Sequence, residues 1–432
     1  MDLFLPPAKA LRGSLRVPGD KSVTHRGLML LSLAEGEGRL LYPLKAGDTL
    51  STLRAMQALG AEITEEGPHL RVKGLGLRLK EPEDVLDCGN AGTLMRLLSG
   101  LLSGQEGFFV LTGDASLRRR PMDRVALPLR AMGARIDGRE GGRYAPLALR
   151  GGNLRGISYT LPVPSAQVKS ALLLAGLFAE GVTEVVEPIP TRDHTERLFR
   201  HFGLPLEVVF SPGEGNRIRT WKTGPFRARD LTVPGDFSSA AFFLVAALIT
   251  PGSELRVEGV GLNPTRTGLL SVLKAMGAEV EWEVQEGQGG EPLGVITAKS
   301  SPLKGVEVDP GLIPLMVDEV PILAAAAAWA EGETFIPGLS ELRLKESDRV
   351  RAIAHNLRTL GVEVEEGPDW LRIRGGVRPG AKPVVEPFHD HRIAMAFAVA
   401  GLPLGVEVKE AEWATISYPG FFEDLQRLYA SG

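Results

Sequence analysis

The sequence predicts an α/β protein of two similar domains, each made of three βαβαββ units packed around buried helices. Three observations carry this. The turn Val17-Pro18-Gly19-Asp20-Lys21-Ser22 returns as Val233-Pro234-Gly235-Asp236-Phe237-Ser238. A helix that is apolar nearly all round starts six times, at Ser22, Gly89, Ser165, Ser238, Asp318 and His391. Those starts are spaced roughly 70–80 residues apart, longer than any solenoid period. Finally, a second, two-faced helix recurs between the starts and ends in Gly before a β run.

In chain order, a strand over Ser14–Val17 leads through the Pro-Gly turn into a helix over Ser22–Leu33. The two-faced helices lie within Leu53–Ile63, Leu127–Ile136, Leu198–Val208, Leu270–Val280 and Asn356–Val364. A helix without a polar face belongs inside a core, and six units are too many for one core. The division that follows is residues 12–230 as one domain, and residues 1–11 with 231–432 as the other. The short segment Leu3–Ala10 is expected to pair with the second half.

Composition narrows the class. A net charge of −4 over 432 residues disfavours a general nucleic-acid binder, so anion affinity has to come from locally clustered cations. The single cysteine, Cys88, excludes a disulfide framework and a Cys-based zinc site, and suits a reducing, cytoplasmic setting. No apolar run approaches a membrane span, and the first residues lack a signal-peptide pattern.

The chemistry gathers at the entrances of the apolar helices. Lys21, Ser22 and Arg26 sit where unpaired backbone N–H groups point, which together make an anion site. Asp87–Thr93 is a Gly-rich turn containing Gly92, followed by Arg118-Arg119-Arg120-Pro121. Three arginines before a proline exceed what nearby carboxylates neutralise, although a solvated run would look the same. Ser165-Ala166-Gln167 offers a hydroxyl cap and an amide, and Arg192 lies in a polar run entering a two-faced helix. Asp318-Glu319 open the fifth apolar helix and suit either the helix dipole or proton transfer. If Arg343–Arg349 is helical, Lys345 and Arg349 share one face with Glu346 beside them, and an anion between them would relieve their repulsion. Arg392 follows His389-Asp390-His391, whose His-x-His spacing would suit a metal pair but finds no further ligand cluster.

Taken together, PGDKSVTHR, GNAGT, RRRPM, SAQVKSALLLAGL, DEVPILA, LKESDR and HDHRIAM resemble the 3-phosphoshikimate 1-carboxyvinyltransferase (EPSP synthase) family. The likeness spans essentially the whole chain, in order, and is closest to the bacterial class with SAQVKSA and DEVPILA. It implies the enolpyruvyl transferase fold, with the active site in the cleft between the domains. It also implies transfer of the carboxyvinyl group of phosphoenolpyruvate to the 5-hydroxyl of shikimate 3-phosphate, with no cofactor and no metal. By motif, Lys21, Ser22, Arg26, Ser165, Ala166, Gln167, Arg192, Asp318 and Lys345 would hold shikimate 3-phosphate. Lys21, Gly92, Arg120, Gln167, Arg349 and Arg392 would hold phosphoenolpyruvate. Asp318, Glu346 and Lys21 would handle protons.

The implied partners are these two small molecules, with no nucleic acid or membrane, and the implied state is a monomer. Gly92 leaves room that an alanine would fill, which implies sensitivity to glyphosate. One departure from the family pattern is Ile416, where some members carry Lys. The competing readings are the sister transferase acting on UDP-N-acetylglucosamine, which uses a reactive loop Cys, and a non-catalytic binder of anionic metabolites.

Overall fold

The computed structural model describes residues 1–285 and 289–430. The chain divides into two compact units, one of Gly19–Val233 with Gly287–Glu291, the other of Met1–Pro18, Pro234–Glu286 and Pro292–Gly432. Among the described residues each unit has its own apolar core and three small sheets. Among the described residues no helix is long and apolar enough to cross a membrane.

The unit built on Gly19–Val233 contains α1 (Lys21–Leu33), α2 (Gly47–Ala58), α3 (Gly92–Ser103), α4 (Asp123–Ala131), α5 (Ala166–Gly176) and α6 (His194–His201). The odd-numbered helices are the apolar set and are buried along nearly their whole length. Asp20 caps α1 by accepting from the Val23 N–H, and Ser165 caps α5 by accepting from the Val168 N–H. α3 and α5 approach so closely that a Cβ on Gly100 would lie 2.1 Å from the Ala171 carbonyl oxygen, so only glycine fits there.

Each sheet of this unit joins one parallel pair to an antiparallel hairpin. Leu86–Asp87 runs parallel to Gly107–Thr112, and Tyr144–Gly151 and Arg135–Arg139 continue that sheet antiparallel. Ser158–Thr160, Val182–Glu187, Gly215–Trp221 and Glu207–Ser211 repeat the pattern. The sheet of Glu37–Leu41, His69–Lys73 and Glu62–Glu66 takes its parallel strand from Leu231–Thr232, at the far end of the unit.

The second unit contains α7 (Phe237–Ile249), α8 (Gly268–Ala275), α9 (Val320–Trp329), α10 (Arg349–Thr359), α11 (His391–Gly401) and α12 (Phe421–Ala430). All residues of α7 are buried, and it packs with α9 and α11. The two-faced α12 has no counterpart in the sequence-based reading. Its Phe421 ring lies against Phe242, Phe243 and Tyr418. The sheet of Glu254–Gly261, Leu293–Lys299 and Glu279–Gln285 gains Arg12–Leu15 as its parallel strand. Glu333–Ile336, Leu371–Arg374 and Glu363–Glu366 form the next sheet. In the last, Leu3–Leu5 pairs antiparallel with Val406–Val408, which runs parallel to Val384–Val385.

These pairings move the expected boundaries. Chain order suggests that the strand before α1 belongs with α1, and that Leu231–Thr232 belongs with α7. The structure exchanges both, because Arg12–Leu15 completes the sheet that follows α7 and Leu231–Thr232 completes the sheet that follows α1. The crossings therefore fall at Pro18–Gly19 and Val233–Pro234, not after residues 11 and 230.

Candidate active site

In the unit built on Gly19–Val233, the entrances of α1, α3 and α5 supply a connected polar cluster. Lys21 is the first residue of α1, and its Nζ lies 2.9 Å from Oδ2 of Asp48 in the first turn of α2. Arg26, one turn into α1, is only 4% exposed. Its Nε donates to Thr195 Oγ1 at 2.8 Å, its Nη2 to Ser170 Oγ at 3.0 Å and its Nη1 to the Ser22 carbonyl at 3.0 Å. These partners are all neutral, and among the described residues no carboxylate forms an ion pair with Arg26. Burial pushes its pKa down to about 10, with Arg192 adding to the shift and the more distant charges of Asp20, Glu196 and Glu291 only partly offsetting it. A guanidinium seated in that way is an electrostatic deficit that a bound anion would fill.

The α5 entrance is tied to α3. Gln167 Oε1 accepts from Arg96 Nη1 at 2.7 Å, and Gln167 Nε2 donates to Thr93 Oγ1 at 2.9 Å. Arg120, buried beside the start of α3, donates from Nη2 to the Asn90 carbonyl at 2.7 Å. Gly92 opens α3 under both guanidinium groups, where a Cβ would lie 2.9 Å from Arg120 Nη1 and 3.1 Å from Arg96 Nη1. Ser165 Oγ caps α5 as an acceptor from the Val168 N–H, and Ala166 begins α5. Ser22 lies in the first turn of α1, and Arg192 lies in the loop before α6, close enough to Arg26 to repel it. Behind this cluster, Lys169 Nζ is fully buried at 3.0 Å from Glu196 and 3.1 Å from Glu187.

The second unit carries the acidic cluster. Arg349 is the first residue of α10 and 1% exposed. Its Nε lies 2.9 Å from Asp390 Oδ2, its Nη2 2.6 Å from Glu346 Oε2 and its Nη1 3.3 Å from Asp318 Oδ1. Arg392 Nη2 stands 3.7 Å from Asp318 Oδ2. Burial would raise the pKa of Asp390, but the Arg349 guanidinium overrides it and holds the carboxyl below its usual range. Ser347 Oγ and the Arg392 N–H also donate to Asp390.

One expectation fails here. Lys345 and Arg349 do not share a helical face: Ser340–Leu344 is a short 3-10 turn, Lys345 is extended, and α10 begins only at Arg349. Three carboxylates, rather than an anion between two cations, neutralise Arg349. Lys345 lies half-buried in the connecting loop.

His389 and His391 do not converge on a metal either. The His389 ring stacks on Trp413, whereas His391 Nδ1 bonds Ser417 Oγ. Glu346, Asp390 and His391 do offer ligand atoms within 4.8 Å of one another. Arg349 already sits among these carboxylates, however, and a cation there would have to displace it. Cys88 is fully buried and its surroundings push the thiol pKa well up, which is unlike the exposed thiolate of a reactive loop cysteine.

Asp48, Thr93, Arg96, Ser170, Thr195 and Asp390 escaped the reading of the sequence as members of these clusters. Each is an ordinary residue of a helix or a cap in the sequence, and only its partner far along the chain marks it out.

The fold is that of an enolpyruvyl transferase. The enolpyruvyl transferase NikO from Streptomyces tendae superposes with a TM-score of 0.76 over 99% of this chain and 97% of its own, at 18% identity. EPSP synthase from Acinetobacter baumannii superposes with a TM-score of 0.85 at 44% identity, over 99% of this chain and 98% of that one. The family model for EPSP synthase (3-phosphoshikimate 1-carboxyvinyltransferase) matches residues 5–425. The chain is 80% identical to the 3-phosphoshikimate 1-carboxyvinyltransferase of Thermus thermophilus over the full length of both. It is 52% identical to that of Geobacter metallireducens over 98% of each chain. The chain belongs to the EPSP synthase family.

Proposed function

We propose that the chain transfers the carboxyvinyl group of phosphoenolpyruvate to the 5-hydroxyl of shikimate 3-phosphate, giving 5-enolpyruvylshikimate 3-phosphate and phosphate. Both substrates are multiply charged anions. The observation that carries the reading is Arg26, a buried guanidinium with neutral hydrogen-bond partners only. In this reading Arg26, Lys21, Ser22, Ser165, Ala166, Gln167, Arg192 and Lys345 hold shikimate 3-phosphate, with Asp318 at its hydroxyl. Lys21, Gly92, Arg120, Gln167 and Arg392 hold phosphoenolpyruvate. Arg349, facing three carboxylates, chiefly sets their positions, and contacts phosphoenolpyruvate only where one of them yields.

The chemistry is addition followed by elimination. C3 of phosphoenolpyruvate gains a proton from Glu346 or Lys21 while C2 becomes electrophilic. The 5-hydroxyl attacks C2 and gives up its proton to Asp318. The resulting tetrahedral ketal-phosphate loses a proton from its new methyl group and expels phosphate, which restores the double bond. The guanidinium groups neutralise the substrates and hold the reacting atoms in line. This work needs no cofactor, and it suits a cytoplasmic enzyme acting as a monomer.

The test is phosphate release on mixing both substrates, repeated with Asp318→Ala. Affinity for shikimate 3-phosphate should stay within about an order of magnitude while turnover falls far more. An equal collapse of both would remove Asp318 from the chemistry, and no phosphate release from the wild type would end the proposal.

A further inference from the structure

The carboxylate of Glu346 is bonded on one oxygen and faced by an imidazole nitrogen on the other. Oε2 is bonded by Arg349 at 2.6 Å, and Oε1 faces His391 Nε2 at 3.8 Å. His391 is fully buried, and its other nitrogen, Nδ1, is hydrogen-bonded to Ser417 Oγ. Ser417 is itself buried and follows the 3-10 turn Ala411–Ile416, which packs on α11. It stands next to Ile416, which brings no charge to this place. The ring is delivered by a strained turn, since Phe388 and His389, neither of them glycine, both hold left-handed backbone (φ +53° and +57°) before Asp390 caps α11. Consecutive strained residues of this kind persist where the surrounding structure insists on them.

We propose that Ser417 is a positioning residue for the proton-handling carboxylate, acting through His391. A neutral imidazole carries one N–H, and the hydrogen bond at one nitrogen selects which nitrogen bears it. A carboxylate oxygen 3.8 Å from Nε2 is beyond hydrogen-bond range, but its charge favours a hydrogen on that nitrogen over a lone pair. Nδ1 is then a bare acceptor, and the Ser417 hydroxyl is the group that donates to it. Serine suits this place because its hydroxyl donates, whereas a carboxylate or backbone carbonyl would draw the hydrogen onto Nδ1 and turn a lone pair toward Glu346. With Ser417 present, Nε2–H points at Oε1 and Arg349 bonds Oε2. Glu346 is therefore held in one orientation, and its negative charge is met on both oxygens as its proton leaves for the methylene carbon. No atom of Ser417 or His391 is consumed or exchanged in this role.

The inference rests on the reading of Glu346 as a proton carrier, and the experiment separates the two. The full chain, labelled with 15N-histidine, is examined by two-bond 1H–15N correlation, with the His391 signals assigned by their loss in His391→Gln. The expected wild-type pattern is the Nε2–H tautomer. In Ser417→Ala that pattern should be lost or mixed, with turnover down about tenfold, a part of the roughly 10²–10⁴-fold that a positioned acid–base group contributes. Michaelis constants and melting temperature should stay close to wild type, and Ser417→Thr, which keeps the hydroxyl, should restore both tautomer and turnover. An Nδ1–H or doubly protonated ring in the wild type would overturn the proposal. So would Ser417→Ala with turnover within twofold of wild type, or Ser417→Thr as impaired as Ser417→Ala. If the tautomer behaves as expected but Glu346→Gln turns over normally, the reading of Glu346 fails instead, and the inference falls with it.

Discussion

Gly92→Ala tests the proposed placement of phosphoenolpyruvate beside Gly92 and Arg120 without removing a charge. The new Cβ would lie 2.9 Å from Arg120 Nη1 and 3.1 Å from Arg96 Nη1, whereas unforced carbon–heavy-atom contacts are roughly 3.5–4.0 Å. Both guanidinium groups have to retreat by about half an ångström or more to reach that range. Neither is loose, because Arg120 Nη2 is tied to the Asn90 carbonyl and Arg96 Nη1 to Gln167 Oε1, each at 2.7 Å. Losing one hydrogen bond to a charged group costs about 1.5–3 kcal/mol. That corresponds to a rise of about 10- to 150-fold in the Michaelis constant for phosphoenolpyruvate. Gly92 sits in the first turn of α3 without a positive φ, so alanine meets no backbone strain and the melting temperature should hold or rise slightly. Affinity for shikimate 3-phosphate should fall much less, because Arg26 and its hydroxyl partners lie on α1, α5 and α6 and only Gln167, tied to Arg96, serves it from the disturbed side. The assay is phosphate release against phosphoenolpyruvate concentration, with glyphosate as a competitor. The wild type should be inhibited competitively, and Gly92→Ala should weaken that inhibition at least as much as it weakens phosphoenolpyruvate. An unchanged Michaelis constant, or an equal loss of shikimate 3-phosphate affinity, would refute the placement of Gly92 and Arg120 at phosphoenolpyruvate.

Two further outcomes follow from buried groups in the same unit. Arg26→Gln should raise the dissociation constant of shikimate 3-phosphate about 100-fold, the value of a desolvated charge-assisted contact, with Arg26→Lys recovering part of it; calorimetric titration showing an unchanged constant would remove Arg26 from the site. His25 lies one turn beyond Lys21, fully buried, with Nδ1 at 2.6 Å from Thr52 Oγ1 on α2. Burial, aided by Lys21, pushes its pKa down to about 3. Because the folded value lies below the unfolded one near 6.5, the unfolded chain binds more protons in this window. The stability present above pH 6.5 is therefore lost as pH falls toward 3, by about 2 kcal/mol at pH 5. Denaturant midpoints measured from pH 8 to 4 should decline less steeply in His25→Gln than in the wild type, and parallel curves would show that His25 does not titrate on unfolding.

The same contrast between local and distant partners explains what the sequence discloses. Burial of a helix is written in the helix itself: every residue of α7 is buried, and the run Phe237–Ile249 contains nothing that needs water. The six apolar helices and the Gly turns after the two-faced ones could be read for that reason. Strand exchange could not. Arg12–Leu15 and Leu231–Thr232 are short, and which sheet they join depends on an edge formed by residues far along the chain. Charges follow the same rule. Lys21 and Arg26 stand out because a helix start concentrates N–H groups around them, but Asp48, which pairs with Lys21, resembles any acidic residue in a first helical turn.

Arg349 shows how far this changes a role. In sequence it is one cation in the charged run Arg343–Arg349, and its repulsion from Lys345 points to a ligand between them. In the folded unit its donors reach Asp318, Glu346 and Asp390, drawn from three different helix entrances. Removing it would leave Asp390, which has no exposed surface, without the guanidinium that holds it ionised. Asp318 and Glu346 would lose their common anchor at the same moment. In the proposed reaction an arginine so placed would act by fixing two carboxylates a set distance apart, a task that a charge count along the chain has no means of expressing.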